Sequence, residues 1–177
     1  MMDQLPRVIR PLKLAEADAR LQGWLPLNEM SRLTARLASS EGRAEGYLQF
    51  GVDADQTHFI RGRIKASLSL ICQRCLGQMQ FPVDIEVSLG IIGADEDAGR
   101  LAGIYEPLLL ATATGDLTEI IEDELLLALP ILELHPPGDC VRGAQDELIV
   151  HAQQPPSPED TRQPFANLAA LIKTKSN

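Results

Sequence analysis

The chain has 177 residues, a formal net charge of −9, 45% apolar residues and only 4% aromatic ones, which fits one domain with a core of Leu, Ile, Val and Ala. No run of about 18 uninterrupted apolar residues occurs, so no membrane span is expected, and the N-terminus lacks the apolar segment and cleavage site of a secretory signal. Three cysteines make no disulfide framework, and a reducing, cytoplasmic setting is expected. The charge is uneven: residues 1–78 carry 11 Lys and Arg against 8 Asp and Glu, whereas residues 79–177 carry 5 against 17. Non-specific nucleic-acid binding needs basic surface, so the chain is a poor candidate for a general RNA-coating protein, and any RNA contact is expected from the first half. The acidic half suits a basic protein partner, or solubility alone.

In chain order, residues 6–14 alternate loosely and predict a short extended segment, and Arg20 to Leu25 reads as a strand. Leu27, Met30, Leu33 and Leu37 recur at helical spacing and predict an amphipathic helix over 27–38, ended by Ser39-Ser40-Glu41-Gly42. A strand over 44–52 turns at Asp53-Ala54-Asp55 into a long strand over 58–72, and a second arm runs over 79–92. A charged loop, 94–99, precedes a strand at 104–111. The clearest helix is 116–129. Asp116 can cap it with Glu119 three residues later, Leu117, Ile120, Ile121, Leu125 and Ala128 form its buried face, and Pro130 stops it. Residues 152–163 have linker composition, and Phe165, Leu168, Ala169 and Ile172 mark a short docking helix. The pattern predicts an α+β fold, a mostly antiparallel β-sheet packed with two or three helices. It divides into a single domain over 1–151 and, over 152–177, a linker and C-terminal docking helix.

The two long strands carry the clearest pattern. Ile60, Gly62, Ile64, Ala66, Leu68, Leu70 and Cys72 share one face of the first, and Phe81, Val83, Ile85, Val87, Leu89 and Ile91 one face of the second. Centring the turn between Cys75 and Leu76 pairs residues whose numbers sum to 151, setting Ile64 against Val87, Lys65 against Glu86 and Ser67 against Asp84. Arg61, Arg63 and Lys65 then line the outer face, about 6.6 Å apart. They read either as a stripe tracking a phosphate backbone or as a solvated face with cross-strand ion pairs. The RNA candidates are Arg61, Arg63 and Lys65, with Arg74 at the tip; the Lys65–Glu86 pair would neutralise one charge, which ranks Arg61 and Arg63 ahead of Lys65.

Cys72 and Cys75, three residues apart at the hairpin tip, have the spacing that commonly supplies half of a structural zinc site. A thioredoxin-like redox pair would open a helix, and here a strand follows. Cys140 is the third thiol and His135 the fourth candidate ligand, with His58 and His151 as fallbacks. The alternative is a tight turn whose cysteines pack as small apolar residues. Glu119, Glu122, Asp123 and Glu124 crowd the start of the 116–129 helix, where acids favour the macrodipole and face solvent; a paired-carboxylate site is the other reading. No phosphate-loop, dinucleotide or metalloprotease motif occurs, and no enzyme is expected.

Taken in order, Ile71-Cys72-Gln73-Arg74-Cys75-Leu76, Tyr105-Glu106-Pro107, the helix Ile121 to Pro130, His135 and Cys140, and the terminal Pro164-Phe165-Ala166-Asn167-Leu168-Ala169-Ala170-Leu171 resemble the YceD family, the large ribosomal RNA subunit accumulation proteins. The resemblance implies a cytosolic role in synthesis, processing or stability of 23S ribosomal RNA, without known enzymatic activity and with no catalytic residues to carry over. Many members carry a second cysteine pair after the Leu-Pro helix end, where this chain has only Cys140. A four-thiol site is therefore out of reach, and zinc, if held, falls to Cys72, Cys75, Cys140 and His135. Two functions fit. One is a non-catalytic ribosome-biogenesis factor in contact with 23S precursor RNA or large-subunit assembly intermediates. The other is a protein-interaction adaptor that recruits a ribosomal protein or processing enzyme without touching RNA.

Overall fold

The computed structural model describes residues 3–93, 101 and 103–140. The strands are β1 (Val8–Ile9), β2 (Arg20–Pro26), β3 (Arg43–Val52), β4 (His58–Ile71), β5 (Gln78–Gly93), β6 (Glu106–Leu110) and β7 (Gly115–Asp116). The helices are α1 (Pro11–Glu16), α2 (Ser31–Thr34) and α3 (Leu117–Leu127). A five-stranded sheet runs β2-β3-β4-β5-β6, and β1 and β7 form a second, two-stranded sheet. Every pairing is antiparallel except β5 with β6. The architecture is the expected α+β, mostly antiparallel sheet with three helices. The fallback ligand His151, the 94–99 loop and the C-terminal docking helix lie outside the described residues.

One face of the sheet is buried because its strands alternate. Ile60, Ile64 and Leu68 of β4 and Val83, Val87 and Leu89 of β5 point into a core shared with Leu25, Leu48, Phe50, Leu117, Ile121 and Leu125. The outer face carries the polar residues, in cross-strand rows such as Gln22–Tyr47–Arg63–Glu86.

The β4–β5 register differs from expectation by two residues. Paired numbers sum to 149, so Ile64 faces Ile85, Lys65 faces Asp84 and Ser67 faces Pro82. The turn explains the shift: the N–H of Cys72 donates to the Gly77 carbonyl (2.9 Å) and the N–H of Leu76 to the Cys72 carbonyl (2.8 Å). The loop is therefore centred between Arg74 and Cys75. A shift of two leaves every side chain on its predicted face, because the period of a strand is two.

Two local readings are corrected. Residues 6–14 are not one extended segment: after the two residues of β1 the chain enters α1, with Pro11 at its first turn, where a missing N–H costs nothing. α1 packs against β3 and β4. Nor is 27–38 a single helix. Leu27–Glu29 is a 3-10 turn, Met30 leaves helical geometry at φ −97° and ψ 85°, and α2 spans only Ser31–Thr34. The break lets Leu27, Met30 and Leu33 all reach full burial. It also opens the first turn of α2 to a side chain from elsewhere. Glu122 of α3 accepts the N–H groups of Arg32 (2.6 Å) and Leu33 (2.9 Å), and Arg32 Nε (3.0 Å).

α3 begins as predicted. Asp116 is its cap, accepting the N–H groups of Thr118 (2.9 Å) and Glu119 (3.4 Å). Arg7 braces the same carboxylate at 2.9 Å. Of the four acids expected to face solvent, Glu122 is only 3% exposed; it is a structural cap for another helix.

Candidate metal centre

The centre forms where the tip of the β4–β5 hairpin meets the segment after α3. Cys72 is the last inward position of the alternating β4 face and is fully buried, in a small cluster with Leu70 and Met79 that Leu37, Leu129 and Cys140 help close. Cys75 sits in the turn that follows. The tightness of that turn places Leu76 at φ +58°, a left-handed conformation that favours glycine.

The second arm is an extended strap past Pro130. The N–H of Gln73 donates to the Glu133 carbonyl (2.8 Å), and the N–H of His135 approaches Cys72 Sγ at 3.4 Å. Glu133 is buried against Arg36, at 3.0 Å. Pro136-Pro137-Gly138-Asp139 then turns with Gly138 at φ +97° and an Asp139 N–H to Pro136 carbonyl bond of 3.1 Å, the geometry of a type II turn with Pro second and Gly third. This turn returns Cys140 to the tip.

Four ligand atoms meet there, one each from Cys72, Cys75, His135 and Cys140, all within 4.8 Å of one another. Cys72 Sγ and Cys140 Sγ are 3.8 Å apart, Cys75 Sγ lies 3.3 Å from His135 Nδ1, and Cys140 Sγ lies 3.8 Å from the same nitrogen. Zinc held tetrahedrally, about 2.3 Å from sulfur and about 2.0 Å from nitrogen, spaces its ligands by roughly 3.8 Å (S···S) and roughly 3.5 Å (S···N). The donor set fits zinc. The thiols are free, and their spacing is far beyond the roughly 2.05 Å of a disulfide.

The surroundings favour the thiolate at Cys72. Burial pushes the Cys72 thiol up, but N–H donors from His135, Cys75 and Arg74 outweigh it and bring it down to about 5. Burial raises Cys140, with the Arg74 guanidinium opposing. The bond to Cys72 raises His135 against its burial. Nε2 of His135 faces the Gln78 carbonyl at 3.3 Å, the outer hydrogen bond that fixes a ligating imidazole with Nδ1 toward the metal. Arg74 Nε reaches Cys140 Sγ at 3.0 Å. Three thiolates and a neutral imidazole around a divalent ion leave one negative charge, which the Arg74 guanidinium opposes.

The other sequence candidates are elsewhere. Arg61 lies over the rings of Phe59 (4.7 Å) and Tyr105 (4.9 Å) and donates to the Tyr105 hydroxyl at 2.8 Å. Arg63 is bonded to Asp84 through Nε and, at 2.9 Å, through a terminal nitrogen, and Lys65 approaches the same carboxylate at 3.4 Å. The expected Lys65–Glu86 pair is replaced because the register moved by two. Arg74 is separate from this stripe, at the cysteine cluster. The fallback ligand His58 starts β4, outside the cluster. The outer bonds from Arg74 and Gln78 have no sequence signal, since both depend on the turn.

A small α+β protein with a Cys3His cluster clamping its longest hairpin to the segment after its last described helix is the class that fold and site define. A family profile described as "Large ribosomal RNA subunit accumulation protein YceD" matches residues 60–172, so the chain belongs to the YceD family. The chain is 29% identical over 169 residues, 95% of its own length and 96% of the other's, to the Haemophilus influenzae protein named "Large ribosomal RNA subunit accumulation protein YceD". No solved structure matches it.

Proposed function

We propose that this protein is a non-catalytic, cytoplasmic ribosome-biogenesis factor supporting synthesis, processing or stability of 23S ribosomal RNA, and that its cysteine–histidine cluster holds a structural zinc ion. The observation that carries the first part is membership of the YceD family, together with a relative along nearly the whole chain whose name states accumulation of large-subunit ribosomal RNA. The place of Glu122 in the fold supports the non-catalytic reading, because that acid is committed to the backbone of α2. The localisation fits free cysteines; among the described residues no helix is long and apolar enough to cross a membrane. Zinc, when bound, would do no chemistry on a substrate: it would tie hairpin to strap.

Direct RNA contact, in this reading, falls to the outer face of β4. There Arg61, Arg63 and Lys65, with Arg43 of β3, outnumber the facing Asp84, Glu86 and Glu45 by four to three, and aromatic Tyr47 stands in the adjacent strand opposite Arg63. Arg74 joins them only from the tip. Deleting the gene should lower the mature 23S to 16S ratio while 16S processing stays near normal; equal loss of both RNAs, or no change, contradicts the proposal. A salt titration of purified protein with 23S precursor RNA separates direct from indirect action. Phosphate contact gives a log–log slope near −0.7 to −0.9 per neutralised phosphate, and no measurable binding favours the adaptor alternative. That alternative has its own support: residues 101–140 contain no Lys or Arg and eight Asp or Glu.

A further inference from the structure

The segment that follows α3 is built inside out. In the extended strap, Glu133 and His135 point inward, one buried against Arg36 and the other at the cysteine cluster. Their neighbours Leu132 and Leu134 therefore face solvent. Ile131 is 96% exposed, Leu127 at the end of α3 is 74% exposed, and Leu132 is 63% exposed. Isolated exposed leucines are ordinary, but four large aliphatic side chains within eight residues of chain, displayed by polar anchors, form the kind of patch that marks an interaction site.

Residues 101–140 bring eight carboxylates and no cation of their own to this setting; the cations there come from other elements, among them Arg74, which donates to the His135 carbonyl at 3.4 Å. Asp116, Glu122, Asp123 and Glu133 are paired with Arg7, Arg32 and Arg36. Glu106, Glu119, Glu124 and Asp139 have no ion pair among the described residues. Burial raises Glu124 above the usual carboxylate range, and the like charges of Glu106 and Asp123 add to it. A nucleic acid would be repelled by this surface.

We infer that Leu127, Ile131, Leu132 and Leu134, with the unpaired Glu124 one helical turn before Leu127 in a segment that carries no Lys or Arg, form a docking surface for a basic amphipathic segment of another protein, one that presents apolar side chains on one face and Lys or Arg around them. The strap is preorganised for this, since the Gln73–Glu133 bond and the cysteine cluster hold its backbone before any partner arrives. Apolar contact would supply affinity, and the acidic surround would choose the sign of the partner. The inference rests on this surface alone and stands whether or not the ribosomal reading holds.

The test uses the full chain and a synthetic helical peptide of leucine and lysine, followed by fluorescence anisotropy. Expected is saturable binding that weakens with salt and fails for the same peptide with glutamate in place of lysine. Ile131→Ser with Leu132→Ser should weaken it roughly tenfold or more, about the effect of losing one buried aliphatic contact. Both side chains are exposed, so the variant should keep the parent's melting temperature. Glu106→Lys should weaken binding without touching the apolar patch. Equal binding to parent and Ile131→Ser/Leu132→Ser variant overturns the inference. So does tighter binding of an oligouridine RNA to this face, scored as RNA affinity lost in the same variant. If Phe165→Ser with Leu168→Ser in the full chain raises peptide affinity, the occupant is the chain's own C-terminal segment and the partner is disproved.

Discussion

The carboxylate of Glu122 on α3 accepts the backbone N–H of Leu33 at 2.9 Å, and of Arg32 beside it, so one helix supplies the cap of another 89 residues earlier in the chain. α2 has no side-chain cap of its own. Glu122→Ala would leave two backbone N–H donors without an acceptor and the Arg32 guanidinium with Asp123 alone, at a cost of about 2–3 kcal/mol. Glu122→Gln keeps one acceptor oxygen and should cost distinctly less. Chemical denaturation of the two variants checks this, and equal losses would contradict the capping account.

Zinc should copurify at about one ion per chain when chelators are avoided. Cys140→Ser should release it and lower stability by several kcal/mol, because the binding energy of such a site is folding energy. His135→Ala should behave alike. Elemental analysis and thermal unfolding, with and without added zinc, measure both. Parent protein with less than about 0.2 zinc per chain would reduce the cluster to a packed turn.

Leu76 occupies a left-handed position at φ +58° while its side chain is 76% exposed. Leu76→Gly removes the steric penalty and sacrifices almost no packing, although glycine loses more freedom on folding. The balance should be a stabilisation of about 0.5–1 kcal/mol with metal content unchanged. A loss of stability would mean that the leucine packs on something in solution.

The N-cap carboxylate of α3 gives a dependence on pH. Burial raises Asp116, but the Arg7 hydrogen bond and the N–H donors of Thr118 and Glu119 outweigh it, and the net shift is downward. A carboxyl with a lower folded than unfolded pKa contributes its full stability above the ordinary carboxylate range and loses it as pH falls through the folded value. Asp116→Ala should therefore cost about 1 kcal/mol at neutral pH. The gap between parent and variant should narrow below about pH 4. Paired unfolding curves across that range test it; a gap independent of pH would assign the effect to helix propensity alone.

The sequence made faces legible and left connections less so. Alternation along β4 and β5 assigned the inward side chains, yet the pairing register was two residues off. Hydrophobicity repeats every two residues and cannot distinguish registers that differ by two; the turn hydrogen bonds of Cys72 and Leu76 decide between them. Leu27, Met30 and Leu33 were recognisable as core, but their helical spacing is equally met by a 3-10 turn followed by a short helix. For the site, the thiols pointed to Cys72, Cys75 and Cys140, with His135 as the first of three candidate fourth ligands. What spacing does not encode is the docking of strap on hairpin, which depends on the Gln73–Glu133 bond and on Glu133 finding Arg36 across the fold.

The Cys72–Cys140 contact joins positions 68 residues apart. Metal ligation there would turn the intervening chain, with β5, β6 and α3, into a closed ring, and a ring has fewer unfolded shapes than a line. By analogy with cross-linked chains, closing a loop of that length removes roughly 4 kcal/mol of disorder from the unfolded state. Part of what zinc contributes would thus lie outside the folded structure, in conformations it forbids. A cell short of zinc would meet this chain as an open polymer, with more ways to come apart and the same contacts to resist it.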